Sequence, residues 1–131
     1  MEIFDPTFQA LSKSIDLRFR RHTLLSGNVA NAETPGYIAR DLDFGGELKK
    51  ALSVEDPKIK KTNPKHLEVG EGRGSHIILD QTAPVRPDGN NVDLDLASSQ
   101  LSANGARYLL ESDYLTMKLR VLRMAASGRD V

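Results

Sequence analysis

The chain has 131 residues, enough for one domain with a modest core. Its 18 basic and 18 acidic residues cancel, which argues against a general nucleic-acid or membrane-surface binder, because those need a basic excess. Cysteine and tryptophan are absent and aromatic residues make up 5%, so disulfides, thiolate catalysis and cysteine zinc sites are excluded and large aromatic-lined pockets are not expected.

No apolar run approaches the roughly 20 residues needed to span a bilayer. The first residues lack the basic, apolar and small-residue regions of a cleaved secretory signal. The chain therefore suits either the cytoplasm or an export route that reads no cleaved peptide.

The first predicted helix runs over residues 6–31. Asp5 offers an N-cap acceptor and Pro6 a pre-set first turn. Phe4, Phe8, Leu11, Ile15, Arg18, His22, Leu25 and Val29 alternate at spacings of four and three, a heptad seam with Arg18 and His22 as polar interruptions. Ile3, Ala10, Leu17 and Leu24 form a second row. Gly27 in a helix costs about 1 kcal/mol relative to alanine, which suggests a packing reason for it.

The helix ends in Ala30-Asn31-Ala32-Glu33-Thr34-Pro35-Gly36-Tyr37. A residue before proline is pushed out of the α region, so Thr34 breaks the helix. Pro35 and Gly36 suit the two central positions of a type II turn, with positive φ at the glycine. Asn31 either satisfies helix-end backbone groups or takes a left-handed conformation. Tyr37 carries its ring back toward the helix.

Residues 36–91 read as short, polar, broken chain. Residues 38–44 alternate loosely and fit a short strand or an extended arm, with Gly45-Gly46 as a break and a helical turn or two over 47–52. A lysine-rich patch (Lys58, Lys60, Lys61, Lys65) and the glycines Gly70, Gly72 and Gly74 precede Ile77-Ile78-Leu79, a second candidate strand. Pro84, Pro87 and Asp88-Gly89 close the segment with turns. So few apolar side chains bury little surface, and mobility or order only on assembly is expected.

The second long helix is predicted over 93–127, capped by Asp93 or Asp95 and stopped by Gly128. Leu94, Leu101, Tyr108, Leu115 and Leu122 recur every seven residues, and so do Leu96, Ala103, Leu110, Met117 and Met124. The two rows are two residues out of phase, about 200° around the helix, so they occupy nearly opposite sides. One partner helix covers one row. Two rows imply two sets of neighbours, hence self-assembly. Lys118, Arg120 and Arg123 suit the negative end of the helix dipole.

The expected fold is mainly α. Long N- and C-terminal helices (residues 1–33 and 92–131) pair as a parallel or antiparallel coiled coil. An irregular, partly disordered middle segment with short strands (34–91) joins them. Leu11, Ile15, Leu25 and Val29 are expected to pack with Leu101, Tyr108, Leu115 and Leu122, within one subunit or between subunits.

No chemistry-bearing constellation emerges. His22, His66 and His76 form no ligand pair, and Gly70-x-Gly72-x-Gly74 precedes a strand-like run where a phosphate loop would open a helix. No catalytic, cofactor-binding or metal site is expected.

The octet together with Asn28 and Val29 resembles the N-terminal signature of bacterial flagellar rod and hook axial proteins. The match covers Asn31, Thr34, Pro35, Gly36 and Tyr37, with Asn28 and Ala30 in support. Residues 40–44 (RDLDF) and 88–95 (DGNNVDLD) resemble the corresponding stretches of the smallest rod subunit. One departure is Ala97, where the family usually has a glutamate close by. The resemblance implies a structural subunit of the proximal rod, exported unfolded through the flagellar type III apparatus without a cleaved signal peptide. It implies a place in the basal body, linking the MS ring and export gate to the distal rod and transmitting torque. The implied partners are other copies, other rod proteins, the adaptor between basal ring and rod, and the export apparatus, with no nucleic acid or small-molecule substrate. The alternative reading is a cytoplasmic helical adaptor or chaperone-like binding module.

Overall fold

In the computed structural model, residues 6–52, 76–80 and 83–128 are described. The elements in chain order are α1 (Pro6–Ala30), β1 (Arg40–Leu42), α2 (Phe44–Leu52), β2 (Ile77–Leu79) and α3 (Leu94–Ser127). The expected mainly helical fold is present, with two long terminal helices joined by an irregular segment carrying two short strands. The lysine patch, the glycine triplet, His66 and the mobility expected around them lie outside the described residues.

The helix ends follow local chemistry. Asp93 caps α3, its carboxylate accepting from the Leu96 amide at 3.0 Å. Gly128 ends it at φ 60°. The last turn of α3 carries no basic residue, so Lys118, Arg120 and Arg123 sit too far back to complement the end of the dipole directly. Asn31 takes no positive φ. Its side-chain amide instead donates to the Gly27 carbonyl at 2.8 Å, satisfying the helix end.

Two expectations are corrected. Gly45-Gly46 does not break the chain, because both residues lie in the first turn of α2. Asp43 nucleates that turn: its carboxylate accepts from the Gly46 amide at 3.0 Å and its carbonyl from the Glu47 amide at 2.9 Å. Gly27 is not needed for close packing. A Cβ there would meet the Tyr37 hydroxyl at 3.7 Å, an ordinary contact.

α1 and α3 lie antiparallel. Ser14 bonds Glu111, Arg18 bonds Glu111 and Asn104, and Val29 packs beside Ala97, so the α3 number falls as the α1 number rises. The face α3 turns to α1 alternates at four and three through Ala97, Leu101, Asn104, Tyr108, Glu111, Leu115, Lys118 and Leu122. Its centre is polar. Arg18 Nε donates to Glu111 Oε1 at 2.5 Å, Ser14 Oγ donates to Oε2 at 2.8 Å, and Asn104 Nδ2 donates to the Arg18 carbonyl at 3.0 Å. The Arg18 guanidinium also lies 4.4 Å above the Phe44 ring, which ties α2 to the same point.

β1 and β2 pair antiparallel, with Asp41 opposite Ile78. Leu42 is buried, and α2 leans on α1, where Lys13 donates to the Ala51 carbonyl. Arg21 grips Asp41 with two bonds, at 2.7 and 2.6 Å. Hydrogen bonding to Asp41 raises the Arg21 pKa further above its ordinary value. A raised pKa means the pair's stabilising effect is present below that range and is lost only in strong alkali.

Removing Glu111 leaves the buried Arg18 guanidinium without a counter-charge. Glu111→Ala is expected to destabilise by about 2–4 kcal/mol in urea unfolding, and the pair of changes Arg18→Met and Glu111→Leu to restore most of it. A loss confined to the double variant would contradict this account.

Candidate functional site

The octet and the DGNNVD stretch, more than fifty residues apart in sequence, form one clasp. The Tyr37 amide donates to the Thr34 carbonyl at 3.2 Å and Gly36 stands at φ 72°, the geometry a Pro-Gly turn of type II requires. A second turn starts at Arg86 and is closed by the Gly89 amide bonding the Arg86 carbonyl at 2.9 Å, with Gly89 at φ 83°. The two turns touch. The Gly36 amide donates to the Asp88 carbonyl at 2.9 Å, and a Cβ on Gly89 would stand 3.3 Å from Gly36 Cα. Small residues meet where backbone approaches backbone.

Three asparagines close the clasp. Asn90 is fully buried, and its side-chain amide donates to the carbonyls of Asn31, Ala32 and Thr34 at 3.0, 3.1 and 2.8 Å. Its own oxygen accepts from the Val92 amide at 2.7 Å. Asn91 accepts from the Ala39 amide at 2.7 Å and donates to the Asp80 carbonyl. Asn28 donates to the Arg40 carbonyl and accepts from the Arg40 amide and the Tyr37 hydroxyl. Arg86 adds bonds to the carbonyls of Ala32 and Val92, at 3.1 and 2.9 Å. Under this network sits a small apolar cluster of Ala32, Ala39, Val92 and Ala97, flanked by Val29 and Tyr37. Ala97 is 5% exposed, so a carboxylate there would be desolvated beside apolar neighbours, and alanine fits.

The turn motif is therefore split by role. Asn28, Asn31 and Tyr37 face inward, while Ala30, Thr34, Pro35 and Gly36 are exposed. Asn90, Asn91 and Arg86 were not singled out from the sequence. Two successive asparagines after Asp-Gly were the available signal, since asparagine can serve backbone donors and acceptors together.

The helix rows separate as their phase requires. Leu25 is fully buried; Phe8, Leu11, Ile15 and Val29 are half-buried, as are Leu101, Tyr108, Leu115 and Leu122. Leu94 departs from this row and is exposed, because Ala97 takes the inward place at the start of α3. Arg18 faces α3, and His22 is exposed. The second row of α3 lies open: Leu96, Leu110, Met117 and Met124 are exposed, Leu110 at 70%. Tyr114 and Val121, also exposed, fall between its members, so Leu110, Tyr114, Met117, Val121 and Met124 make a complete four-three seam with no partner helix among the described residues.

A relative from Cereibacter sphaeroides named flagellar basal body rod protein FlgB is 33% identical over 119 residues, covering 89% of this chain and 91% of its own. The chain belongs to the FlgB family. Relatives of the same name from Proteus mirabilis and Escherichia coli are 31% identical over 123 residues and 29% over 136, the latter covering 98% of this chain and 99% of its own. No protein-family model matches the chain. The FlgB likeness thus runs the full length, through both helices and the clasp.

Among the described residues no group of acidic and histidine side chains is arranged to hold a metal ion, and no helix is long and apolar enough to cross a membrane. The cleft beside the clasp, between Asn28, Ala39, Asp80 and Asn91, measures about 20 Å³, room for one water molecule.

Asn90→Ala is expected to cost about 2–3 kcal/mol, because the buried Val92 amide loses its acceptor and the carbonyls of Asn31, Ala32 and Thr34 each lose one of two donors. Asn90→Asp should cost at least as much, since it replaces a donor with a charge among acceptors. Urea denaturation checks both, and a loss below about 0.5 kcal/mol in either would show that the network adds nothing.

Proposed function

We propose that this chain is a structural subunit of the flagellar proximal rod, joined to its neighbours through the open seam of α3. The rod assignment rests on the full-length FlgB likeness. The observation that carries the mechanism is the separation of faces: α3 spends one face on α1 and keeps a second, fully apolar seam exposed. A soluble monomer gains nothing from five exposed large apolar side chains in heptad register. A subunit of a helical shaft needs them, because each copy must offer an adhesive face after its own fold is complete.

In this reading the clasp sets the angle between the helical shaft layer and the middle segment, and the shaft transmits torque through the rigid α1–α3 pair. The partners are further copies, other rod proteins, the adaptor between basal ring and rod, and the export gate. The chain leaves the cytoplasm through the flagellar type III apparatus and takes its place on the periplasmic side of the inner membrane.

Met117→Asp tests the seam. The site is exposed, so stability should change by less than about 1 kcal/mol, while rod assembly and swimming are lost. Gly36→Val tests the clasp angle: a β-branched residue disfavours positive φ, so the protein should be expressed but fail to build rods. In-frame deletion followed by electron cryotomography should show basal rings without a rod. Intact rods and normal swimming after deletion would sink the assignment.

A further inference from the structure

The residues beside the exposed seam of α3 carry information about what the seam meets. Leu110, Tyr114, Met117, Val121 and Met124 are 70, 49, 55, 54 and 37% exposed. With these at the core positions of a heptad repeat, Asp113 and Arg120 fall on one flank, and both are exposed. Glu111 and Lys118 fall on the other flank, beside α1, where Glu111 bonds Ser14 and Arg18 and Lys118 is also engaged. One flank is committed inside the subunit. The other presents an acid and a base one heptad apart.

That spacing is self-complementary. In an antiparallel coiled coil each flank meets the same flank of the partner helix. When Leu110 packs on Val121 of a second copy and Tyr114 on its Met117, Asp113 stands opposite the second copy's Arg120. By two-fold symmetry Arg120 then stands opposite its Asp113. Sliding by one heptad in one sense sets Arg120 against Arg120, and in the other sense Asp113 against Asp113. Both slides juxtapose like charges. A parallel pair instead brings Asp113 to Lys118, which is half-buried and already engaged. Charge therefore selects one direction and one register.

We infer that the free chain pairs with a second copy through this seam, as an antiparallel α3–α3 dimer in the register Leu110–Val121 and Tyr114–Met117. The inference rests on the reading of the seam as the adhesive face of a rod subunit, and adds what covers that face before a shaft is reached. A two-fold contact uses the seams of both copies and closes, so a paired chain has no adhesive face left. Pairing thus opposes polymerisation away from the growing shaft. It must also come apart readily. The contact is small, below about 1,200 Å², so the dimer is weak, with a Kd on the order of 100 μM.

The chain lacks cysteine, so single-cysteine variants of the full-length protein report the register directly. In this dimer the two Leu110 positions lie about 16 Å apart along the helices, as do the two Val121 positions, too far for a disulfide. Leu110→Cys alone and Val121→Cys alone should therefore oxidise slowly under copper-phenanthroline. An equal mixture should give the mixed disulfide, identified by intact mass, at least about tenfold faster. Rapid self-cross-linking of each variant would mean a parallel pair and overturn the proposal, as would equal rates for all three samples.

The charges give a second test. Arg120→Asp sets two acids together at each end and should weaken self-association about tenfold in sedimentation velocity between about 10 and 500 μM. Adding Asp113→Arg reverses the pairs and should restore it. A double variant no stronger than Arg120→Asp would overturn the register. The rod assignment is read separately, in cells. A chain that stays monomeric throughout this range while its deletion removes rods overturns the dimer and leaves the rod assignment standing. The mixed disulfide from a chain whose deletion leaves rods intact supports the dimer and sinks the rod assignment.

Discussion

The end of α1 imposes the constraint on which the rest of the molecule depends. α1 stops at Ala30 and the chain turns aside at once, so the carbonyls of the turn that follows need partners from elsewhere in the fold. One buried side chain, Asn90, bonds three carbonyls of that turn, those of Asn31, Ala32 and Thr34. Because Asn90 lies just ahead of α3, holding the exit turn of the first helix positions the start of the second. The antiparallel direction of the pair follows from that junction. So does the path of the middle segment, which Asn28 and Asn91 hold by its backbone at Arg40 and Ala39.

The seam between the helices is then free to be partly polar. Arg18, Glu111, Ser14 and Asn104 occupy places where leucine would bury more apolar area. Asn104 Oδ1 is even left without a partner among the described residues. A polar layer at seam positions penalises shifted registers, because any slide separates charges that are no longer well hydrated. The apolar material displaced from this interface lies on the far side of α3. Such a division suits a subunit whose internal pairing must be specific and whose external pairing must be adhesive.

Some of this was legible in advance, and the reasons differ by residue. Pro35-Gly36, Asp93 and Gly128 announced helix ends and a turn, since each acts through its own backbone and its nearest neighbours; the helix start expected at Asp5-Pro6 borders residues outside the described ones. The 200° phase between the α3 rows announced two faces, and the structure shows one half-buried and one open. Gly45-Gly46 misled because Asp43 supplies a cap that outweighs the weak helix propensity of two glycines. Leu94 misled because it fits the heptad count while the chain is still entering the helix. Arg18 looked like an interruption; its partner lies 93 residues away.

The sequence by itself determined the element types, the points where the long helices stop, and which apolar rows α3 carries. Those are properties of spacing and local chemistry, complete within a few residues. Tertiary structure alone decided which row faces α1, which direction α1 takes against α3, and what Asn28, Asn90 and Asn91 do. An asparagine side chain reads the same whether it meets water or a distant carbonyl, and only the folded chain brings those carbonyls within 3 Å of it.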